Sequence, residues 1–214
     1  MESKRRVLYI HGMGGGEDSR IPALLKSIFS DSGPEIIIQT YDFDPLKASA
    51  QITGWIDSYR PDIIVCESLG ACHGARLGGI PRIFVSPALN AARNLAFASR
   101  IINLPGMKAL ACRLFPQREG KRQRLVFEKE ILEKYACIAD RSSIVRSGFV
   151  KAYFGTRDHY RWSGTVSVRK WEKTYGKGTY VFYEGSHFME NEYVRTMLAP
   201  DIMSILDKGD ENLL

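Results

Sequence analysis

The chain has no Cys-x-x-Cys pair among its four cysteines, and no two of its four histidines sit at metal-ligand spacing on one element. No disulfide framework and no metal site follow from such a pattern, and no metal or other cofactor is expected. Cys66, Cys72, Cys112 and Cys137 are expected to be reduced, mostly buried thiols. Long apolar runs are missing as well. After the basic start Met1-Glu-Ser-Lys-Arg-Arg6, the first apolar stretch is only Val7 to Ile10, too short for a signal peptide or a bilayer span. The expectation is a cytoplasmic protein with no membrane span. Repeats and low-complexity tracts are absent too, and 214 residues that are 44% hydrophobic and 25% charged predict one globular domain over residues 1–214.

Acidic residues run short in one segment. Residues 90–145 hold 11 Lys/Arg against 5 Asp/Glu, leaving 19 of each elsewhere, so the whole net charge of +6 is concentrated there. Its densest part, Arg118-Glu-Gly-Lys-Arg-Gln-Arg124, has no interleaved aromatics and reads as a solvated helical face. No nucleic-acid partner is expected from it.

Six short β-branched or aromatic runs stand out, at 6–10, 35–41, 62–67, 82–86, 149–155 and 179–184. Helical patterns lie between them. Ile21, Leu24, Leu25, Ile28 and Phe29 repeat at helical spacing, as do Ile52, Trp55, Ile56 and Tyr59 behind an Asp44-Pro45 start, and Tyr193, Val194, Met197, Leu198, Ile202 and Leu206. Strands alternating with helices predict an α/β fold with a mainly parallel six-stranded sheet covered on both faces. Residues 88–147 break the rhythm. Leu95, Phe97, Ile101, Ile102, Leu104, Met107, Leu110 and Leu114, then Val126, Phe127, Ile131 and Leu132, predict two to four helices divided by Pro105-Gly106 and Pro116.

In Asp62-Ile-Ile-Val-Cys-Glu-Ser-Leu-Gly-Ala71 an apolar strand ends on Ser68 just before a glycine and a helix-forming stretch. A serine on a tight strand-to-helix turn presents its hydroxyl to open space, beside the N–H groups of a helix start. A serine that merely caps a helix fits the same local pattern. Downstream, Val150-Lys-Ala-Tyr-Phe-Gly-Thr-Arg-Asp158 runs from a strand into an acid, and Thr179-Tyr-Val-Phe-Tyr-Glu-Gly-Ser-His187 from a strand into a histidine. Ser, Asp, His is the chain order of one recurring triad architecture. The run Val7-Leu-Tyr-Ile-His-Gly-Met-Gly-Gly-Gly16 adds a glycine-rich turn after the first strand, whose unobstructed N–H groups could face a ligand. The backbone N–H groups of Met13 and Leu69 are the expected oxyanion donors. A dinucleotide fingerprint fits badly, because Glu17 holds the place of the third glycine.

Through His11-Gly12-Met13, Glu67-Ser68-Leu69-Gly70, Gly155-Thr-Arg-Asp158 and Gly185-Ser-His187-Phe188, the chain resembles the α/β-hydrolase superfamily, and within it the small bacterial serine esterases with a six-stranded core. Residues 5–88 and 148–207 carry the likeness. It implies an α/β-hydrolase fold, a Ser68–His187–Asp158 triad, and an α-helical cap at about 88–147 that shapes an acyl pocket. One departure lies at the elbow pattern Gly-x-Ser-x-Gly, where Cys66 replaces the first glycine.

Rival residues remain. His11 resembles the superfamily's oxyanion-loop histidine, His73 reads as packed or solvated, and His159 competes with His187 as the base. Asp140 is an alternative acid. Ser86 ends a strand but is followed by proline, which argues against a tight elbow there. The expected activity is hydrolysis of a carboxylic ester or thioester of a small acyl substrate through an acyl-enzyme. The alternative is a hydrolase-like fold acting as a protein-binding module. Natural substrate, acyl chain length and oligomeric state are left open.

Overall fold

The structure is a computed structural model that describes residues 4–30, 33–140 and 142–211. Its elements alternate along the chain: β1 (Arg6–Ile10), α1 (Arg20–Phe29), β2 (Glu35–Ile38), α2 (Pro45–Tyr59), β3 (Ile63–Glu67), α3 (Gly70–Gly74) and β4 (Arg82–Val85). Three helices follow, α4 (Ala91–Ala98), α5 (Met107–Leu114) and α6 (Lys129–Ala139), then β5 (Val150–Gly155), α7 (Val168–Tyr175) and β6 (Tyr180–Tyr183). The last helical stretch comprises α8 (Asn191–Tyr193), a π turn (Val194–Leu198) and α9 (Ala199–Glu211). Pro200 accounts for the π turn: it has no N–H for the Thr196 carbonyl, and the Ala199 N–H bonds instead to Val194 O.

The strands form one sheet in the order β2-β1-β3-β4-β5-β6, and every pairing is parallel. The period of two sorts their side chains. Val7 and Tyr9 face α1, the π turn and α9 with Leu25, Leu198 and Ile202, while Leu8 and Ile10 face α2 and α7 with Ile52 and Trp171. Because both faces are covered, the strands read as continuous apolar runs. A third apolar cluster joins Leu132, Tyr135 and Ile138 of α6 and Ala92 of α4 to Phe43, Leu69 and Cys72. It seats the inserted helices beside the residue that follows Ser68.

Most strand limits fall within a residue of the sequence expectation, but β2 stops at Ile38 instead of reaching 41. β2 is an edge strand with a neighbour on one side. Past Ile38 the chain turns inward, and Tyr41 stacks on His11 with ring centroids 4.1 Å apart. Asp44 caps α2 as expected, accepting from the Leu46 N–H at 3.0 Å, and its other oxygen pairs with Lys134 of α6. The basic run 118–124 is not a helical face. It is an irregular segment in which Arg122 bridges Gly16, Lys121 pairs with Glu17 and Arg122 with Asp18. Of the cysteines, Cys66 and Cys72 are buried, whereas Cys112 and Cys137 are exposed, contrary to the expectation for those two.

Candidate active site

β3 delivers Ser68 into a left-handed conformation, φ +48°. For a non-glycine residue that conformation costs on the order of 1 kcal/mol, and the surroundings impose it. The Ser68 N–H donates to Val85 O at 3.0 Å, and its carbonyl accepts from the N–H groups of Ala71 and Ala88, both at 3.1 Å. Gly70 is required where the new helix crosses β1, since a Cβ there would lie 2.5 Å from Ile10 O and 2.6 Å from His11 O. Gly12 leaves space for the serine itself: a Cβ on it would sit 3.0 Å from Ser68 Cβ.

β5 and β6 deliver the other two residues. Asp158 follows β5 and is 2% exposed; its Oδ1 accepts from the Tyr160 N–H at 2.8 Å. His187 lies in the loop after β6 and is 3% exposed. That loop fits tightly over Gly155, where any Cβ would strike the carbonyls of Gly185 and Ser186. The three side chains meet in series. His187 Nδ1 is 2.8 Å from Asp158 Oδ2, and His187 Nε2 is 2.8 Å from Ser68 Oγ. An ionised carboxylate can only accept, so it fixes the proton on Nδ1 and leaves Nε2 to accept from the serine hydroxyl. Tyr160 packs its ring against the imidazole at 4.6 Å, in a T-shaped contact.

The glycine-rich turn differs from the expectation of unobstructed N–H groups. Gly14 donates to Gln123 Oε1, Gly15 to Gly12 O, Gly16 to Ser19 Oγ and Glu17 to Lys121 O. Among the described residues the N–H of Met13 has no acceptor, nor has that of Leu69. The turn therefore has no row of free donors for a dinucleotide pyrophosphate, while Met13 in the turn and Leu69 after Ser68 keep unengaged N–H groups. Met13 and Leu69 also share one apolar cluster.

His11 shapes this turn. It is fully buried, its Nδ1–H donates to Gly12 O at 2.7 Å, and Tyr41 N–H approaches Nε2 at 3.4 Å. Burial drives its pKa down to about 4, so the ring is neutral. His73 is packed against Tyr41 and is likewise neutral, its pKa pushed down to about 3 by burial first and by Arg76 second. His159 stacks on Tyr160, with its ring centroid 6.4 Å from that of His187. Asp140 is exposed and holds Ser142 through both the N–H and the hydroxyl. Neither of these two rivals joins the Ser68 relay.

Ser86 departs from expectation. Despite Pro87, it has the same left-handed backbone as Ser68, φ +47°. Its hydroxyl is buried, however, and lies 3.1 Å from Tyr183 Oη, which in turn donates to Ser186 O at 2.7 Å. Glu67, next to Ser68, points to Tyr9 and accepts from its hydroxyl at 2.8 Å.

Sequence reasoning missed Gln123. Its amide oxygen holds Gly14 N–H at 3.0 Å, while its NH2 reaches Tyr41 O and Asp42 O at 3.3 Å. No local signal marks a residue whose partner is 109 positions away. Among the described residues no three His, Cys, Asp or Glu side chains converge as metal ligands.

Neither a protein-family model nor a curated protein matches the sequence. Solved structures do. Est1E from Butyrivibrio proteoclasticus, solved with ferulic acid bound, is 15% identical with a TM-score of 0.68, covering 97% of this chain and 91% of that one. A monoacylglycerol lipase from Paleococcus ferrophilus is 12% identical at TM-score 0.62, covering 94% and 96%. The Bottromycin epimerase BotH, in complex with Bottromycin A2, is 8% identical at TM-score 0.57, covering 95% and 91%. The chain has the α/β-hydrolase fold. Neighbours that include an esterase, a lipase and an epimerase leave the chemistry to be argued from the site.

Proposed function

We propose that this protein is a serine hydrolase that cleaves a carboxylic ester, or a thioester, of a small acyl substrate. The observation that carries the reading is the buried relay of two 2.8 Å contacts from Asp158 through His187 to a serine held at φ +48°. A serine used only as a helix cap needs neither the histidine nor the strained backbone.

In this reading His187 Nε2 removes the Ser68 proton as Oγ attacks the acyl carbonyl, and Asp158 stabilises the resulting imidazolium. The N–H groups of Met13 and Leu69 donate to the developing oxyanion, fixed in place before the reaction begins. The imidazolium then gives its proton to the leaving alcohol or thiol. Water, deprotonated by the same histidine, releases the acid and restores Ser68. Low solvent exposure of Asp158 and His187 strengthens both charge interactions.

A fluorophosphonate probe tests the assignment, since it reacts with activated serines. Covalent modification mapped to Ser68, together with turnover of a short p-nitrophenyl ester, is the expected result. An unlabelled Ser68 in folded protein would instead favour a binding module on this fold.

A further inference from the structure

None of the eight residues of α5 is buried, although Met107, Leu110, Ala111 and Leu114 are among them. Leu110 and Leu114 are 45% and 63% exposed, Leu104 in the preceding turn 56%, and Phe97 on α4 59%. At helical spacing Met107, Leu110 and Leu114 share one arc, with Lys108 on one flank and Arg113 on the other, while Ala111 at its edge packs on the third apolar cluster. An apolar arc between cations is the pattern of a helix lying in the plane of a membrane surface.

The charge around it is of one sign. From Ser68 to Arg118 the sequence contains no Asp or Glu, while Arg93, Arg100, Lys108 and Arg113 all fall on or beside α4 and α5. None of these four forms an ion pair among the described residues, and Arg100 lies over the Phe97 ring at 5.5 Å. The next basic stretch behaves differently, with Lys121 and Arg122 paired to Glu17 and Asp18.

We propose that the α4–α5 face docks on an anionic phospholipid bilayer, with Phe97, Leu104, Leu110 and Leu114 entering the headgroup boundary and the four cations meeting lipid phosphates. Charge complementarity selects this occupant. A second copy would bring two cationic faces together, and a nucleic acid would leave the leucines in water. Each cation at an anionic surface strengthens binding about fivefold, and this attraction screens with salt. Docking stands apart from the hydrolase reading. What rests on that reading is the consequence that the ester is drawn from the lipid phase, because α4 and α6 pack on Leu69 beside Ser68.

The test is co-sedimentation of the full chain with phosphatidylcholine vesicles, with and without about 30% phosphatidylglycerol, at low and high salt. Binding about tenfold or more tighter to the anionic vesicles is expected. Leu110→Ser/Leu114→Ser should weaken it by about tenfold, with unchanged melting temperature and unchanged turnover of a soluble p-nitrophenyl ester. Lys108→Glu/Arg113→Glu should abolish the preference for anionic lipid. Absence of binding to anionic vesicles overturns the proposal, as does undiminished binding by the leucine variant. So does a dimer in size exclusion that the leucine variant splits, or tighter binding to duplex DNA than to vesicles. Vesicle binding without fluorophosphonate labelling of Ser68 leaves the surface standing and removes the hydrolase reading.

Discussion

The sulfur of Cys66 fills the space that a side chain on Gly74 would need. A Cβ on Gly74 would collide with Cys66 Sγ, and it would lie 3.2 Å from Cys66 Cβ and 3.4 Å from Phe84 Cε1. Where the elbow pattern has a small residue before the nucleophile, this chain keeps a thiol and clears the facing helix position instead. Gly74→Ala is therefore expected to destabilise by about 1–3 kcal/mol through overpacking, against the usual gain from Gly→Ala in a helix. Combined with Cys66→Ala, it should recover part of that loss, a coupling on the order of 1 kcal/mol in a urea-denaturation cycle. Independent, additive effects would mean that the two residues do not share this volume.

Ser86, Tyr183 and the Ser186 carbonyl form a second chain of contacts beneath the site. Ala88 N–H braces Ser68 O from the same turn, so the turn after β4 touches both the Ser68 backbone and the loop that carries His187. Tyr183→Phe should lower kcat about tenfold with little change in KM, because the loop loses a donor and not a substrate contact. Equal changes in both parameters would point to substrate binding instead.

The three strand-terminal residues were legible because each follows an apolar run of the right length, and because chain order restricts which histidine can follow the last strand. The glycine turn was legible in position but not in use. Its N–H groups are taken by Ser19, Lys121 and Gln123, and the last two come from a segment more than a hundred residues downstream. The same distance hid the fate of the basic run. Charge density suggests a solvated helix, yet Gly120 adopts φ +88° and the chain runs flat against Gly16, where Glu17 and Asp18 take up two of the cations. Ser86 shows the limit of a local rule: neighbouring strands hold it in a left-handed turn that its own sequence disfavours.

Gln123 gives a way to test the proposed oxyanion role of the glycine turn without touching Ser68, Asp158 or His187. Gln123→Ala removes the acceptor for Gly14 N–H, one residue from Met13, and should reduce kcat/KM by about ten- to a hundredfold while slowing fluorophosphonate labelling. Gln123→Glu keeps an acceptor at that position and should recover part of the loss. If the alanine variant is fully active, the turn is held by its other hydrogen bonds alone.

Acid should destabilise the fold well before carboxylates protonate. His11 and His73 have folded pKa values lowered to about 4 and about 3, against about 6.5 in the unfolded chain. The unfolded state thus binds more protons below pH 6.5. Stability is complete above that value and falls as the pH drops toward 4, by up to about 3 kcal/mol for each residue. His73→Phe removes one of the two sites, so the slope of the urea midpoint between pH 6.5 and 5 should be roughly halved. An unchanged slope would locate the acid sensitivity elsewhere.

The relay itself makes the sharpest demand. Ser68→Ala and His187→Ala should each abolish ester turnover, and the double variant should be hardly worse, because groups that act as one unit are strongly non-additive. Asp158→Asn should lower kcat by about 10⁴, since an amide facing Nδ1 favours the tautomer that places the proton on Nε2, where the serine hydroxyl needs an acceptor. The fold should survive, because the Tyr160 N–H can still bond the amide oxygen. Asp140→Asn should leave kcat unchanged, as its carboxylate is engaged with Ser142 on the surface. Substantial activity in Ser68→Ala would falsify the serine-hydrolase assignment. Loss in Asp140→Asn with retention in Asp158→Asn would keep the nucleophile and move the acid, a result that the 2.8 Å contact between Asp158 and His187 argues against.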